Sequence, residues 1–183
     1  MSVAVLSIGP MTNATNPVGE RDDLVALLGV RRYFLRNTLR DLDDEQLARR
    51  STVSELCLGG LIKHVASIED RWARFMVDGP DAFPSEQGEA AFAEHRAGFQ
   101  MLASDTGESL LRNYEQVAAR TDELVRTLDD LDVAHPLPPR PWFPPNTRWT
   151  RRHVILHIIA ETAQHAGHAD IIREAIDGAK SMG

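Results

Sequence analysis

The sequence predicts an all-α fold: a four-helix bundle with one Pro-rich connection before the last helix. Three observations carry that prediction. Four long segments repeat apolar residues at i, i+3 and i+4. No stretch alternates long enough to make a useful strand. The run from Pro136 to Pro145 is too rich in proline for any helix interior, so it must be a rigid crossover or lid. A chain of 183 residues suffices for one well-packed domain and is short for two. Residues 1–19 read as a loose N-terminal tail, since their apolar patch has no basic leader as a signal peptide would. Residues 20–183 form the single domain.

The first helix covers residues 20–40, with Leu24, Leu27, Leu28, Arg31, Phe34, Leu35 and Leu39 on its periodic face. LDDEQL follows as a loop and a short helical turn. The second long helix begins after Ser54, where Thr52 and Ser54 are both acceptable N-caps. It stops at Asp78-Gly79-Pro80, a strong terminator. Residues 79–105 are the least legible, with EAAFAEHRAGFQML reading as a short helix across the bundle. The third long helix starts near Ser104 or Asp105 and carries Leu110, Leu111, Tyr114, Val117, Thr121, Leu124 and Leu128 at helical spacing. The fourth runs from an N-cap at Thr150 to a terminating Gly178.

Composition excludes several classes. Content of 43% apolar and 26% charged residues is that of an ordinary soluble domain, and no apolar run approaches a membrane span. A formal charge of −7, with scattered basic residues, argues against a nucleic-acid partner. One cysteine, Cys57, rules out an intrachain disulfide and fits a reducing cytoplasm. It lies in an apolar run and reads as a small buried hydrophobe, not a nucleophile.

The chemistry concentrates on the last helix, in ETAQHAGHAD. At about 100° per residue, His157, Glu161, His165 and His168 fall within a wedge of roughly 80° that Val154, Ile158 and Ile172 flank or share. This wedge therefore faces inward, with His153 at its edge. Arg152, Gln164, Asp170, Arg173 and Asp177 occupy the opposite, solvated side. Glu161 and His165 are one turn apart and suited to sharing one ion. Imidazole with carboxylate suits zinc and other first-row divalent metals, and a third ligand must come from another helix. His64 in GGLIKHVASIE offers it. The adjacent Gly59 and Gly60 imply close helix approach or a pocket. A Glu–His hydrogen-bond network is the alternative to metal binding. HIIAETAQH is not the zinc-protease HExxH, because its glutamate follows the histidine by four residues rather than one. No Glu-x-x-His motif of a di-iron bundle occurs. His95 and His135 carry no functional expectation.

Two segments resemble a known family. SELCLGGLIKHVASIEDRW resembles the second helix of the DinB/YfiT-like superfamily, and WTRRHVILHIIAETAQHAGHADIIREAIDG resembles the last helix of its actinobacterial branch, related to mycothiol-dependent maleylpyruvate isomerase. The resemblance implies an up-down-down-up bundle, a homodimer, and one divalent metal on His64, Glu161 and His165. Many members have histidine where this chain has Glu161, and the isomerase is similar to this chain in having glutamate there. His168 is expected beside the metal, in an outer shell or the substrate pocket. His157 is a further pocket candidate, and Glu69 or Asp70 would orient a histidine ligand. Zinc is expected first, with nickel, iron or manganese also compatible.

Three protein ligands leave a position open for a substrate atom. The resemblance implies that a low-molecular-weight thiol, mycothiol, occupies it and attacks a small electrophile as thiolate. The expected activity is that of a metal-dependent thiol S-transferase, with catalysis centred on the metal. Arg148, Arg151 or Arg152 would bind an anionic group, and Trp142, Phe143 and Trp149 would wall the pocket or simply pack the connector. The rival readings are a non-catalytic metal-binding stress or detoxification bundle and a hydrolase using metal-bound water.

Overall fold

The structure, a computed structural model, describes residues 19–83 and 96–181. Residues 1–18 of the expected tail, His95 and the first half of the proposed helix EAAFAEHRAGFQML lie outside the described residues.

Helix α1 (Glu20–Asn37) opens with Glu20, Asp22 and Asp23, whose charges complement the helix N-terminus. It buries Leu24, Leu28, Arg32 and Leu35. The short α2 (Asp44–Ala48) is held by a capping box between Asp43 and Gln46. Helix α3 (Leu58–Asp78) starts later than the expected Ser54 boundary, because the Cys57 thiol accepts from the Gly60 N–H and acts as the cap. It ends at Gly79, whose φ of 62° is the left-handed conformation glycine adopts freely, and passes into a 3-10 turn (Gly79–Ala82). Helix α4 (Gly107–Thr127) is capped reciprocally by Thr106 and Ser109. Helix α5 (Arg151–Asp177) begins at Thr150, whose hydroxyl accepts from the His153 N–H, and ends at the left-handed Gly178.

Beyond the expected helices the structure adds one minimal sheet. Strands β1 (Ala134–Pro136) and β2 (Arg148–Thr150) pair antiparallel, with His135 opposite Trp149, and clasp the base of the Pro-rich connection. Three-residue strands are too short for an alternating pattern to reveal.

The fold is predominantly helical, and polar ties at both ends show how the long helices lie. Arg152 at the head of α5 pairs with Glu20 at the head of α1. Arg173, near the end of α5, donates to the carbonyls of Thr38 and Arg40 just past α1. The two helices therefore run in the same direction. Lys63 on α3 pairs with Asp105 before α4, and Asp70 pairs with Arg120, so α3 and α4 also run together. Arg173 is buried, not solvated as its helical phase suggested. Its guanidinium reaches across to α1, which long stems allow.

The core has two apolar clusters. One gathers Leu35, Leu58, Leu61, Tyr114, Val117 and Ile172; the other gathers Leu28, Trp72, Phe75, Val125, Ile155 and Ile158. By position along each helix, a polar layer lies between them. There Arg32 binds Glu69 through two nitrogens at 2.5 and 3.2 Å and Asp122 at 2.7 Å. Burying three charges is tolerable only when they are paired in this way. No helix among the described residues is long and apolar enough to cross a membrane.

Candidate metal centre

His64 and Glu161 with His165 come from different helices. His64 projects from the middle of α3's apolar face, between Leu61, Val65 and Ile68, and is buried. Antiparallel packing of α3 on α5 brings its ring within 5.0 Å of the His165 ring, centre to centre, edge to face. One helical turn earlier on α5, Glu161 places Oε2 3.5 Å from His165 Nε2 and Oε1 3.9 Å from His157 Nε2. The hydrogen bond from His165 holds the Glu161 carboxyl below the usual carboxylate range, against partial burial and with help from His157 and His64. His165 Nδ1 is buried and has no hydrogen-bond partner among the described residues.

These three side chains adjoin as an acid–imidazole cluster. Among the described residues, no three His, Cys, Asp or Glu side chains have, as placed, the mutual geometry to hold a metal ion.

The surrounding candidates divide. His157 stands in an aromatic box, its ring 5.0 Å from Trp72 and 4.9 Å from Trp149. Burial lowers its pKa, with Glu161 opposing. Trp149 stacks on Trp72 at 4.8 Å and meets Phe143 at 5.8 Å, so these two connector aromatics pack against the core beside His157. Trp142 stays exposed. His168 is exposed, not inward, because the wedge reaches the open edge of the α3–α5 contact there; its ring is 5.7 Å from His165.

Arg152 is bound to Glu20 and Asp132 instead of standing free at the site. Arg151 binds the Met76 carbonyl and Asp129, and Arg148 the Ala134 carbonyl. These arginines clasp the head of α5. Glu69 and Asp70 do not orient the histidines: Glu69 belongs to Arg32, and Asp70 to Arg74 and Arg120. Gly59 and Gly60 admit neither a helix nor a pocket but the chain at Phe99 and Met101. Sequence reasoning missed Phe99, stacked on His64, and Trp72, beside His157. The spacing of Trp72 from His64, two turns along one α3 face, was the available signal for the second.

The site is thus an acid–imidazole cluster between two helices of a helical frame, and comparison with known proteins identifies the family that carries it. The family model described as mycothiol-S-transferase matches residues 23–178, and the chain belongs to that family, which is DinB/YfiT-like. No curated protein matches the chain in sequence. In fold it is similar to a crystal structure of a conserved protein from Enterococcus faecalis. The two are 13% identical, with 88% of this chain and 99% of that one covered, at a TM-score of 0.65.

Proposed function

We propose that this protein is a metal-dependent thiol S-transferase. In this reading His64, Glu161 and His165 hold a divalent cation, zinc foremost, mycothiol is the thiol, and a small electrophile is its acceptor. The observation that carries the reading is the meeting of His64 with Glu161 and His165 across two helices, in a chain of the mycothiol-S-transferase family. The donor set fits a metal. Two imidazoles and a carboxylate suit zinc and its neighbours. The buried Nδ1 of His165 has no partner among the described residues, so this imidazole has unmet bonding capacity.

When bound there, a divalent cation would stabilise a thiolate near neutral pH. The chain's own residues supply the remainder. Trp72, Trp149 and Phe143 exclude water beside His157 and offer an apolar wall to the electrophile. His168, exposed and next to His165, takes the thiol proton and passes it to solvent. The sulfur electron pair forms the new S–C bond. With a haloalkane the carbon–halogen pair departs with the halide; with a Michael acceptor the π pair moves to the far atom, which takes a proton.

The same reading places α1, α3, α4 and α5 in an up-down-down-up four-helix bundle, supported by the end-to-end ties between α1 and α5 and between α3 and α4. It assigns the protein to the cytoplasm as a homodimer, with exposed Val30, Tyr33, Leu156 and Ile171 as the apolar surface such a pairing would cover. To test the function, zinc-loaded protein is incubated with mycothiol, or with other small thiols, and a haloalkane, and the S-conjugate is followed by mass spectrometry. A conjugate whose rate requires both metal and mycothiol is expected. Fully metallated protein that forms no conjugate with any thiol sinks the reading. Thiol uptake without product would mark a sequestering protein, and turnover without thiol a hydrolase.

A further inference from the structure

Phe99 has no part in the reading above, yet it makes the closest ring contact at the site. Its ring lies flat on the His64 imidazole, centres 3.7 Å apart and planes within 20°. The same ring is 6.1 Å from His165. What brings it there is the first turn of α3. A Cβ on Gly60 would lie 1.8 Å from the Phe99 carbonyl oxygen and 2.4 Å from its carbonyl carbon. Only a residue without a side chain lets the backbone at Phe99 approach so closely. A Cβ on Gly59 would meet side-chain atoms of Met101 and no backbone: the sulfur at 2.4 Å, whose flexible end can swing away, and Cγ and Cβ at 3.1 and 3.2 Å, which need yield only a few tenths of an ångström.

The segment is tied to α3 along its length. Lys63 Nζ pairs with Asp105 at 2.7 Å, and the same carboxylate accepts from the Leu102 N–H at 2.8 Å. The Lys63 ammonium also reaches the Gln100 carbonyl, and the Cys57 sulfur lies against that of Phe99.

We propose that Phe99 is a positioning residue for His64, seated by Gly60. A ring stacked flat against the imidazole resists rotation about its Cβ–Cγ bond, because rotation would drive a ring edge into the phenyl face. This fixes which edge of His64 faces Glu161 and His165. It also closes that side of the cluster to water. Gly60 is thereby explained: glycine favours a helix less than alanine does, and here, in the first turn, the close backbone approach requires it. The inference rests on the proposed role of His64 as a ligand.

The test separates the two. In metal-free protein, the His64 ring protons should carry the ring-current shift of a stacked phenyl group. Phe99→Leu and Gly60→Ala should both remove that shift in NMR spectra, Phe99→Tyr should restore it, and Gly59→Ala should leave it in place. In zinc titrations, Phe99→Leu and Gly60→Ala should bind about 10- to 100-fold more weakly, the usual effect of losing a residue that orients a ligand. Phe99→Tyr should bind like wild type. His64 signals unmoved in Phe99→Leu overturn the proposal, as do moved signals with zinc affinity intact. If wild-type protein binds no zinc while the shifts move as described, the metal reading falls and the seating of His64 by Phe99 stands.

Discussion

His165 Nδ1 and Glu69 state the opposing demands at the scale of single residues. Nδ1 is a buried polar atom without a partner among the described residues, a condition that costs about 1–3 kcal/mol unless a ligand relieves it. Glu69 is fully buried and satisfied by Arg32. The first points to binding, the second to structure. Accordingly, His64→Ala and His165→Ala should each lose most bound zinc by elemental analysis, whereas His168→Ala should keep the metal and slow conjugate formation. Arg32→Met should lower stability by about 3–5 kcal/mol in urea unfolding, because it strands the Glu69 charge in the core. A double replacement of Arg32 and Glu69 by methionine should recover most of that loss. The sequence drew attention to these histidines because titratable groups recurring at helical spacing beside apolar ones are rare, although His168 lies exposed. Arg32 was passed over in favour of Arg31, although it continues the stripe of Leu24, Leu28 and Leu35. A charged residue on an apolar stripe is easily discounted when its partner sits on another helix.

At the scale of elements, local chemistry decided what could be read. Thr150 and Gly178 bound α5 as their caps require, since a cap is written in a few adjacent residues. Thr150→Ala should cost about 1 kcal/mol in thermal or urea unfolding. The start of α3 was placed too early because a thiol is an unusual cap, and Thr52 and Ser54 before it are better ones by type. The β1–β2 clasp and the Phe99 contact join segments distant in sequence, so no local pattern announces them. The end of α5 offers a pH test. Arg173 donates to Asp177 and holds its carboxyl below the ordinary value of 3.8, with the Ala179 N–H assisting. A carboxyl depressed in the folded state contributes stability above its unfolded pKa and loses it as the pH falls through the folded value. The gap in melting temperature between wild type and Asp177→Asn should therefore be constant near neutrality and close at pH values below 3.8.

Across the whole molecule, the polar layer of Arg32, Glu69 and Asp122 separates two apolar clusters and touches three of the four long helices. Such a layer fixes how those helices slide against one another, since shifting any of them by one turn would leave a buried charge unpaired. Helix α5 is tied in turn to α1 by Arg152 on Glu20 and by Arg173 on the carbonyls of Thr38 and Arg40, so α3 and α5 meet through α1 with His64 beside His165. The family was legible from two helical segments, because those segments hold most of the site's chemistry. The aromatic cluster beside His157 was only half legible: Phe143 and Trp149 were suggested by the connector's composition, but Trp72 comes from the opposite helix. The central claim is that a small thiol binds a metal held by His64, Glu161 and His165. Zinc K-edge X-ray absorption on zinc-loaded protein, before and after adding mycothiol, tests it most directly. Only nitrogen and oxygen neighbours are expected at first, since Cys57 caps α3 instead of joining the cluster. One sulfur at about 2.3 Å should then appear with the thiol. A spectrum that gains no sulfur would contradict the account.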